Sequence, residues 1–182
     1  MEWIQHMDGE FLLWLRDTVS CGFLDSVMKA VSSLGNGGLL WIALGVVFLL
    51  MGIKNKKWRN RGLLLLLSLA ANALVCNVLL KPMVGRIRPY DLLGYDIIIP
   101  PLSDPSFPSG HTSASFASSA AIYAMNRKWG IAAYAFSVVM GFSRLYLGVH
   151  FPTDVLTGAV IGFLMAKLVQ RIWRKRKKEV SF

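Results

Sequence analysis

From about Asn36 onward the chain alternates long apolar stretches with short basic ones, and that alternation predicts five membrane-spanning helices. A span needs about 20 mostly apolar residues. Residues 62–80, 130–147 and 155–173 come near that length unaided, and 39–53 reaches it if its helix begins near Asn36. The stretch 109–125 is poor in large side chains and rich in Ala and Ser, which suits a helix packed closely inside a bundle.

The first 35 residues follow a different pattern. Trp3, Ile4, Met7, Phe11, Trp14, Leu15 and Val19 recur at helical spacing, with Glu2, Gln5, Asp8, Arg16 and Asp17 largely elsewhere. Polar residues interrupt this stretch too often for a span, so it reads as an amphipathic helix lying in the interface, with its tryptophans at the headgroup boundary. Cys21-Gly22 breaks it. A shorter amphipathic piece with Leu24, Val27, Met28 and Val31 follows, and residues 34–38, Leu-Gly-Asn-Gly-Gly, form a turn. With no basic region ahead of an apolar run, a cleaved signal peptide is not expected, and the first span serves as the insertion signal.

Composition agrees with a membrane protein: 54% of the 182 residues are hydrophobic and 16% charged. The net charge of +10 does not mark a nucleic-acid partner, because the basic residues cluster in short runs between apolar stretches. Lys54, Lys56, Lys57, Arg59 and Arg61, then Arg127 and Lys128, then the tail from Arg171 to Lys178 fall on one side, which the positive-inside rule makes cytoplasmic. Trp58, Trp129 and Trp173 sit at those same ends as an aromatic belt. The expected organisation is one all-α domain over 1–182: an interfacial region 1–35, a polytopic bundle 36–173 and a basic cytoplasmic tail 174–182. Cys21 and Cys76 have neither metal-ligand nor disulfide spacing and read as packing residues.

Alternation of the spans then makes a geometric prediction. Lys81, Ser109 to His111, Arg144, His150 and Asp154 all lie at outer-face ends, so they can meet. Arginine forks match phosphate oxygens, and Lys81 adds a compact positive charge. Ser109 and Gly110 at a helix start offer unpaired backbone N–H groups and allow close approach. A neutral His150 can attack phosphorus, with Asp154 four residues on to hold its other ring nitrogen; His111 is left to protonate the departing oxygen and then activate water. No ligand set for a metal is present, and no cofactor is expected.

Plainer roles are expected elsewhere. Arg86 reads as a cation reaching for the interface. Asp91, Asp96 and Asp104 read as loop residues, His6 as solvated, and Gly158 with Gly162 as helix packing within the chain. An anion transporter or channel is the competing class, and it would need charge distributed through the membrane instead of gathered at one face.

Lys81-(six residues)-Arg88-Pro89, Pro108-Ser109-Gly110-His111 and Ser143-Arg144-(five residues)-His150-(three residues)-Asp154 resemble the three signature motifs of the type 2 phosphatidic acid phosphatase superfamily, which includes glucose-6-phosphatase and vanadium haloperoxidases. The resemblance covers about 36–173. It implies a metal-independent, membrane-embedded phosphatase in which His150 attacks, His111 is acid and base, Asp154 supports His150, and Lys81, Arg88, Ser109, Gly110 and Arg144 bind phosphate. By the same analogy the substrate is a membrane lipid in a bacterial plasma membrane, met at the outer leaflet. Undecaprenyl diphosphate is favoured, with phosphatidylglycerophosphate and phosphatidic acid as alternatives.

Overall fold

A computed structural model describes residues 2–179; Met1 and the end of the predicted basic tail, 180–182, lie outside it. All regular structure among the described residues is helical. The helices are α1 (Glu2–Val19), α2 (Gly22–Leu34), α3 (Leu39–Met51), α4 (Lys56–Ala73), α5 (Lys81–Val84), α6 (Pro89–Leu93), α7 (Gly110–Met125), α8 (Arg127–Tyr146) and α9 (Pro152–Glu179). A π-helical turn, Leu74–Leu80, joins α4 to α5.

Local chemistry sets several of these boundaries. Asn55 caps α4 by accepting from the Lys57 amide at 3.0 Å, and Asn126 caps α8 through the Trp129 amide at 3.1 Å. Between α2 and α3 the predicted turn holds Gly37 and Gly38 at φ 58° and 70°, backbone that a side chain would strain.

Among the described residues two stretches are long and apolar enough to cross a membrane alone: Lys56–Leu93, interrupted after Val84, and Pro152–Arg176. Gly22–Leu34 and Asn36–Met51 reach that measure jointly, across a bend of 44°. The predicted spans at 109–125 and 130–147 differ. At 16 residues α7 is shorter than a span, while α8 opens on Arg127 and Lys128 and carries Arg144 in its last turn. The reason for α7 is its surroundings: it packs against α9, α8 and α4, so protein takes the place of lipid around it.

Small and hydroxyl-bearing residues make that packing close. Ser113, Ser115, Ser118 and Ser119 of α7 are fully buried. Trp41 Nε1 donates to Ser115 Oγ at 3.1 Å, Asn72 Nδ2 to Ser113 Oγ at 3.1 Å, and Ser119 meets Ser137 at 2.8 Å. Gly158 and Gly162 bring α9 against the α7 backbone: a β-carbon at Gly158 would lie 2.7 Å from the Ser109 carbonyl oxygen, and one at Gly162 would overlap that of Ser113.

The N-terminal helices are part of the protein wall. Outward, α1 exposes Trp3, Ile4, Met7, Phe11 and Trp14, as the periodicity predicts. Its inward side is Asp8, Leu12 and Leu15, all 4% exposed or less. Asp8 therefore leaves the polar face assigned to it, because a buried partner awaits it. Met28 of α2 joins a core with Tyr90, Tyr146, Leu147 and Val149. The long connection 85–108 is tied down as well: Tyr90 Oη bonds both the amide and the carbonyl of Leu102 at 3.0 Å, and Tyr95 Oη donates to the Gly148 carbonyl at 2.9 Å.

Candidate active site

Helix ends deliver the three motif segments to one place. Lys81 opens α5 directly after the π-helical turn, and Arg88 precedes α6. Ser109 to His111 begin α7, where first-turn amides lack helical acceptors. Arg144 closes α8, His150 lies in the short link to α9, and Asp154 is in the first turn of α9. Lys81, Arg88, Ser109, Arg144, His150 and Asp154 are all buried. Lys81 and Arg88 share Asp104, Arg88 reaches the Val149 carbonyl next to His150, and the Ser109 amide bonds the Asp154 carbonyl at 3.1 Å, so the three segments adjoin one another.

His150 sits beside Asp154, with Ser106 between them. Its Nδ1 is 3.6 Å from Asp154 Oδ2 and 3.4 Å from Ser106 Oγ. Ser106 Oγ donates to Asp154 Oδ2 at 2.5 Å, and the Phe151 amide donates to the same oxygen at 2.9 Å. Burial pushes the His150 imidazole down to about 3; Asp154 pulls it upward, and Arg144 and Arg88 add to the depression. The ring is therefore neutral near pH 7, the form that carries a free lone pair.

Two of the cations already have partners, and the third keeps one donor free. Arg88 Nη1 donates to the Val149 carbonyl at 2.7 Å, Nε to the Asp104 carbonyl at 2.8 Å and Nη2 to Asp104 Oδ1 at 2.8 Å. Lys81 Nζ donates to Asp104 Oδ2. Burial alone would raise the Asp104 carboxyl, but Lys81 and Arg88 outweigh it and hold it at about 2. Asp104 is thus a counter-ion on two predicted phosphate ligands, a correction to its reading as an ordinary loop residue. Arg144 Nη1 donates to Ser32 Oγ of α2, while its buried Nε has no hydrogen-bond partner. An unpaired buried guanidinium N–H is costly, and an oxyanion would satisfy it.

Beside these groups lies a half-open cavity of about 500 Å³. Its lining combines Lys81, Asp104, His111 and Asn77 with apolar Ile42, Leu66, Leu69 and Ala73. His111 Nε2 lies 3.0 Å from Asn36 Oδ1. His150 is 1% exposed and is not part of the cavity lining.

Several participants escape the sequence reading. Arg86 is a correction: its side chain is 18% exposed, with Nη1 donating to Asp154 Oδ1 at 2.6 Å and Nη2 to Asp8 Oδ2 at 2.8 Å. Its signal was a cation on the face where the positive-inside pattern has no use for one. Ser106, Asn77 and Ser32 left no such trace, because single polar residues in a loop or near a helix end are commonplace.

Residues 61–178 match the PAP2 superfamily. Undecaprenyl-diphosphatase BcrC of Bacillus subtilis is 37% identical over 98 residues, 54% of this chain and 51% of that protein. Phosphatidylglycerophosphatase B of Bacillus subtilis is 31% identical over 172 residues, 86% of this chain and 78% of that protein. The crystal structure of a transmembrane PAP2-type phosphatidylglycerolphosphate phosphatase from Bacillus subtilis superposes with a TM-score of 0.80 at 29% identity, covering 96% of this chain and 88% of that one. The chain therefore belongs to the PAP2 superfamily, as a membrane-spanning hydrolase of the lipid-phosphatase kind.

Proposed function

We propose that this protein removes the terminal phosphate of a polyprenyl diphosphate of the undecaprenyl type at the outer face of a bacterial plasma membrane, without a metal. The observation that carries the reading is the cavity, whose lining combines the Lys81 cation and the His111 ring with the apolar side chains of Ile42, Leu66 and Leu69. A phosphate head and a lipid tail need that combination. The name of the BcrC relative favours the diphosphate. Phosphatidylglycerophosphate is the second reading, favoured by a fold match over 96% of the chain.

In the proposed sequence, neutral His150 attacks the terminal phosphorus through Nε2, and the bond from phosphorus to the bridging oxygen breaks. His111 gives that oxygen a proton, so lipid phosphate leaves and a phosphohistidine remains. His111 then takes a proton from water as the water attacks phosphorus, which releases inorganic phosphate and restores His150. Lys81, Arg88, Arg144 and the first-turn amides after Ser109, with Gly110 allowing close approach, hold the equatorial oxygens as charge builds. Asp154 steadies the developing imidazolium.

Purified protein in detergent should release phosphate from undecaprenyl diphosphate in the presence of EDTA, faster than from phosphatidylglycerophosphate or phosphatidic acid. His150→Ala should abolish release. Turnover that stops on chelation, or an alanine variant with full rate, overturns the mechanism; a reversed lipid preference overturns the substrate.

A further inference from the structure

Asp154 is held from two directions. One carboxylate oxygen faces His150 and Ser106; the other accepts from Arg86 Nη1 at 2.6 Å. Arg86 is not one of the residues that the mechanism uses. Its guanidinium lies over the Phe151 ring, 4.0 Å from the centroid, and also donates to Thr153 Oγ1 at 2.7 Å. The other arm of its fork donates to Asp8 Oδ2 at 2.8 Å. Asp8, 4% exposed, in turn accepts from the Thr153 amide at 3.2 Å and from the Thr153 hydroxyl.

Three charges, Asp154 and Asp8 buried and Arg86 partly so, therefore alternate in sign away from the imidazole: Asp154, Arg86, Asp8. Isolated charges at such depth are expensive, so each persists through its partner. Asp8 also takes the place of an N-cap for α9, supplied by a helix more than a hundred residues away; a carboxylate there suits the positive end of the helix dipole. Packing alone would not require two acids sharing one arginine on the Asp154 carboxylate.

We propose that Arg86 and Asp8 are positioning residues that set the basicity of His150 through Asp154, making the N-terminal helix α1 part of the active-site framework. Arg86 draws off part of the Asp154 charge and fixes the carboxylate plane. Asp8 draws off part of the Arg86 charge, and so restores some of what Arg86 takes. The proposal rests on His150 as nucleophile and Asp154 as its support. It concerns charge that the three motifs do not contain.

The sign of each change follows. His150 must be unprotonated to attack, so kcat falls as pH drops through its pKa in the substrate complex. Arg86→Gln leaves Asp154 with more charge for the ring and moves this acid limb up. Asp8→Asn keeps the shape and the cap oxygen but leaves Arg86 unopposed, and moves the limb down. Each shift should be about 0.5 pH unit or more. The other groups acting on His150, namely Arg144 from α8, Arg88 before α6, Ser106 in the loop and His111 on α7, are the same in every variant, as is the ionisation of the substrate.

The experiment is kcat against pH on purified full-length protein with one lipid diphosphate, with thermal unfolding in the same detergent. Opposite shifts for R86Q and D8N, with R86K returning the limb to its original position, support the proposal. Limbs that stay in place while rate or stability falls overturn it and leave a scaffold role. If R86Q does not fold, D8N decides alone: an unmoved limb overturns the proposal. Retained turnover in His150→Ala would instead remove the reading on which the proposal stands, so the two failures are distinguishable.

Discussion

Asp104 and Arg88 are joined twice, Nη2 to the carboxylate at 2.8 Å and Nε to the backbone carbonyl at 2.8 Å. The same carboxylate also takes Lys81, so the two cations proposed to grip phosphate are already occupied. Asp104 is 51% exposed at its side chain, against 9% for Lys81 and 3% for Arg88. A phosphate must compete with it. Asp104→Asn should therefore tighten inhibition by inorganic phosphate about three- to tenfold, the upper figure being about 1.4 kcal/mol and the lower one allowing for screening at an exposed side chain. An unchanged inhibition constant would mean that phosphate binds elsewhere.

Ser106 is the hydroxyl shared between His150 and Asp154. Ser106→Ala deletes a 2.5 Å hydrogen bond to a fully buried carboxylate oxygen. Loss of a charged partner of this kind costs about 1–3 kcal/mol, so kcat should fall about tenfold or more with KM little changed. A steady-state comparison on one lipid substrate checks it, and an equal rise in KM would place Ser106 in binding instead.

The depressed His150 ring links stability to pH. Its folded value of about 3 lies below the ordinary 6.5, so the unfolded chain takes up the proton first. The stability this group contributes is present above pH 6.5 and is lost as pH falls toward 3. Asp104, about 2 against an ordinary 3.8, adds to the loss at lower pH, in a part-exposed setting. His150→Gln should flatten the fall in Tm between pH 6.5 and 4.5, whatever it does to Tm at neutral pH. A parallel slope in both proteins would contradict the buried neutral ring.

Close approach at Gly162 makes a separate prediction. A β-carbon there would collide with the Ser113 carbonyl, which is backbone and cannot rotate away. Gly162→Val should destabilise by about 1–3 kcal/mol or more. Gly22→Ala, with nothing within 4 Å, is the matched control and should leave Tm within a degree or two. Equal effects at both sites would mean that α9 does not rest on α7 as described.

Much of the site was legible in the residues themselves. Lys81, Arg88, Arg144 and Asp154 carry charge, and His111 and His150 ionisable rings, where an apolar chain has little reason to place them, and the expected alternation of spans put them on one face. The break at Cys21-Gly22 and the turn at 35–38 were readable because glycine marks backbone that other residues avoid. What could not be read was pairing at long range. Asp8 looked solvated because periodicity ranks it among polar neighbours, yet its partner lies 78 positions away. The close packing of α7 was legible, because Ala and Ser in place of large side chains suit a helix inside a bundle.

The glycine seam between α7 and α9 has a mechanical consequence. Two of the three motif segments, the one starting at Ser109 and the one holding Asp154, sit on helices clasped main chain to main chain, and the Ser109 amide bonds the Asp154 carbonyl at 3.1 Å. That half of the pocket is held as a single block. Give for an incoming lipid must then come from the opposite half, where the connection 85–108 carries Asp104 and the bent α2–α3 pair meets His111 through Asn36.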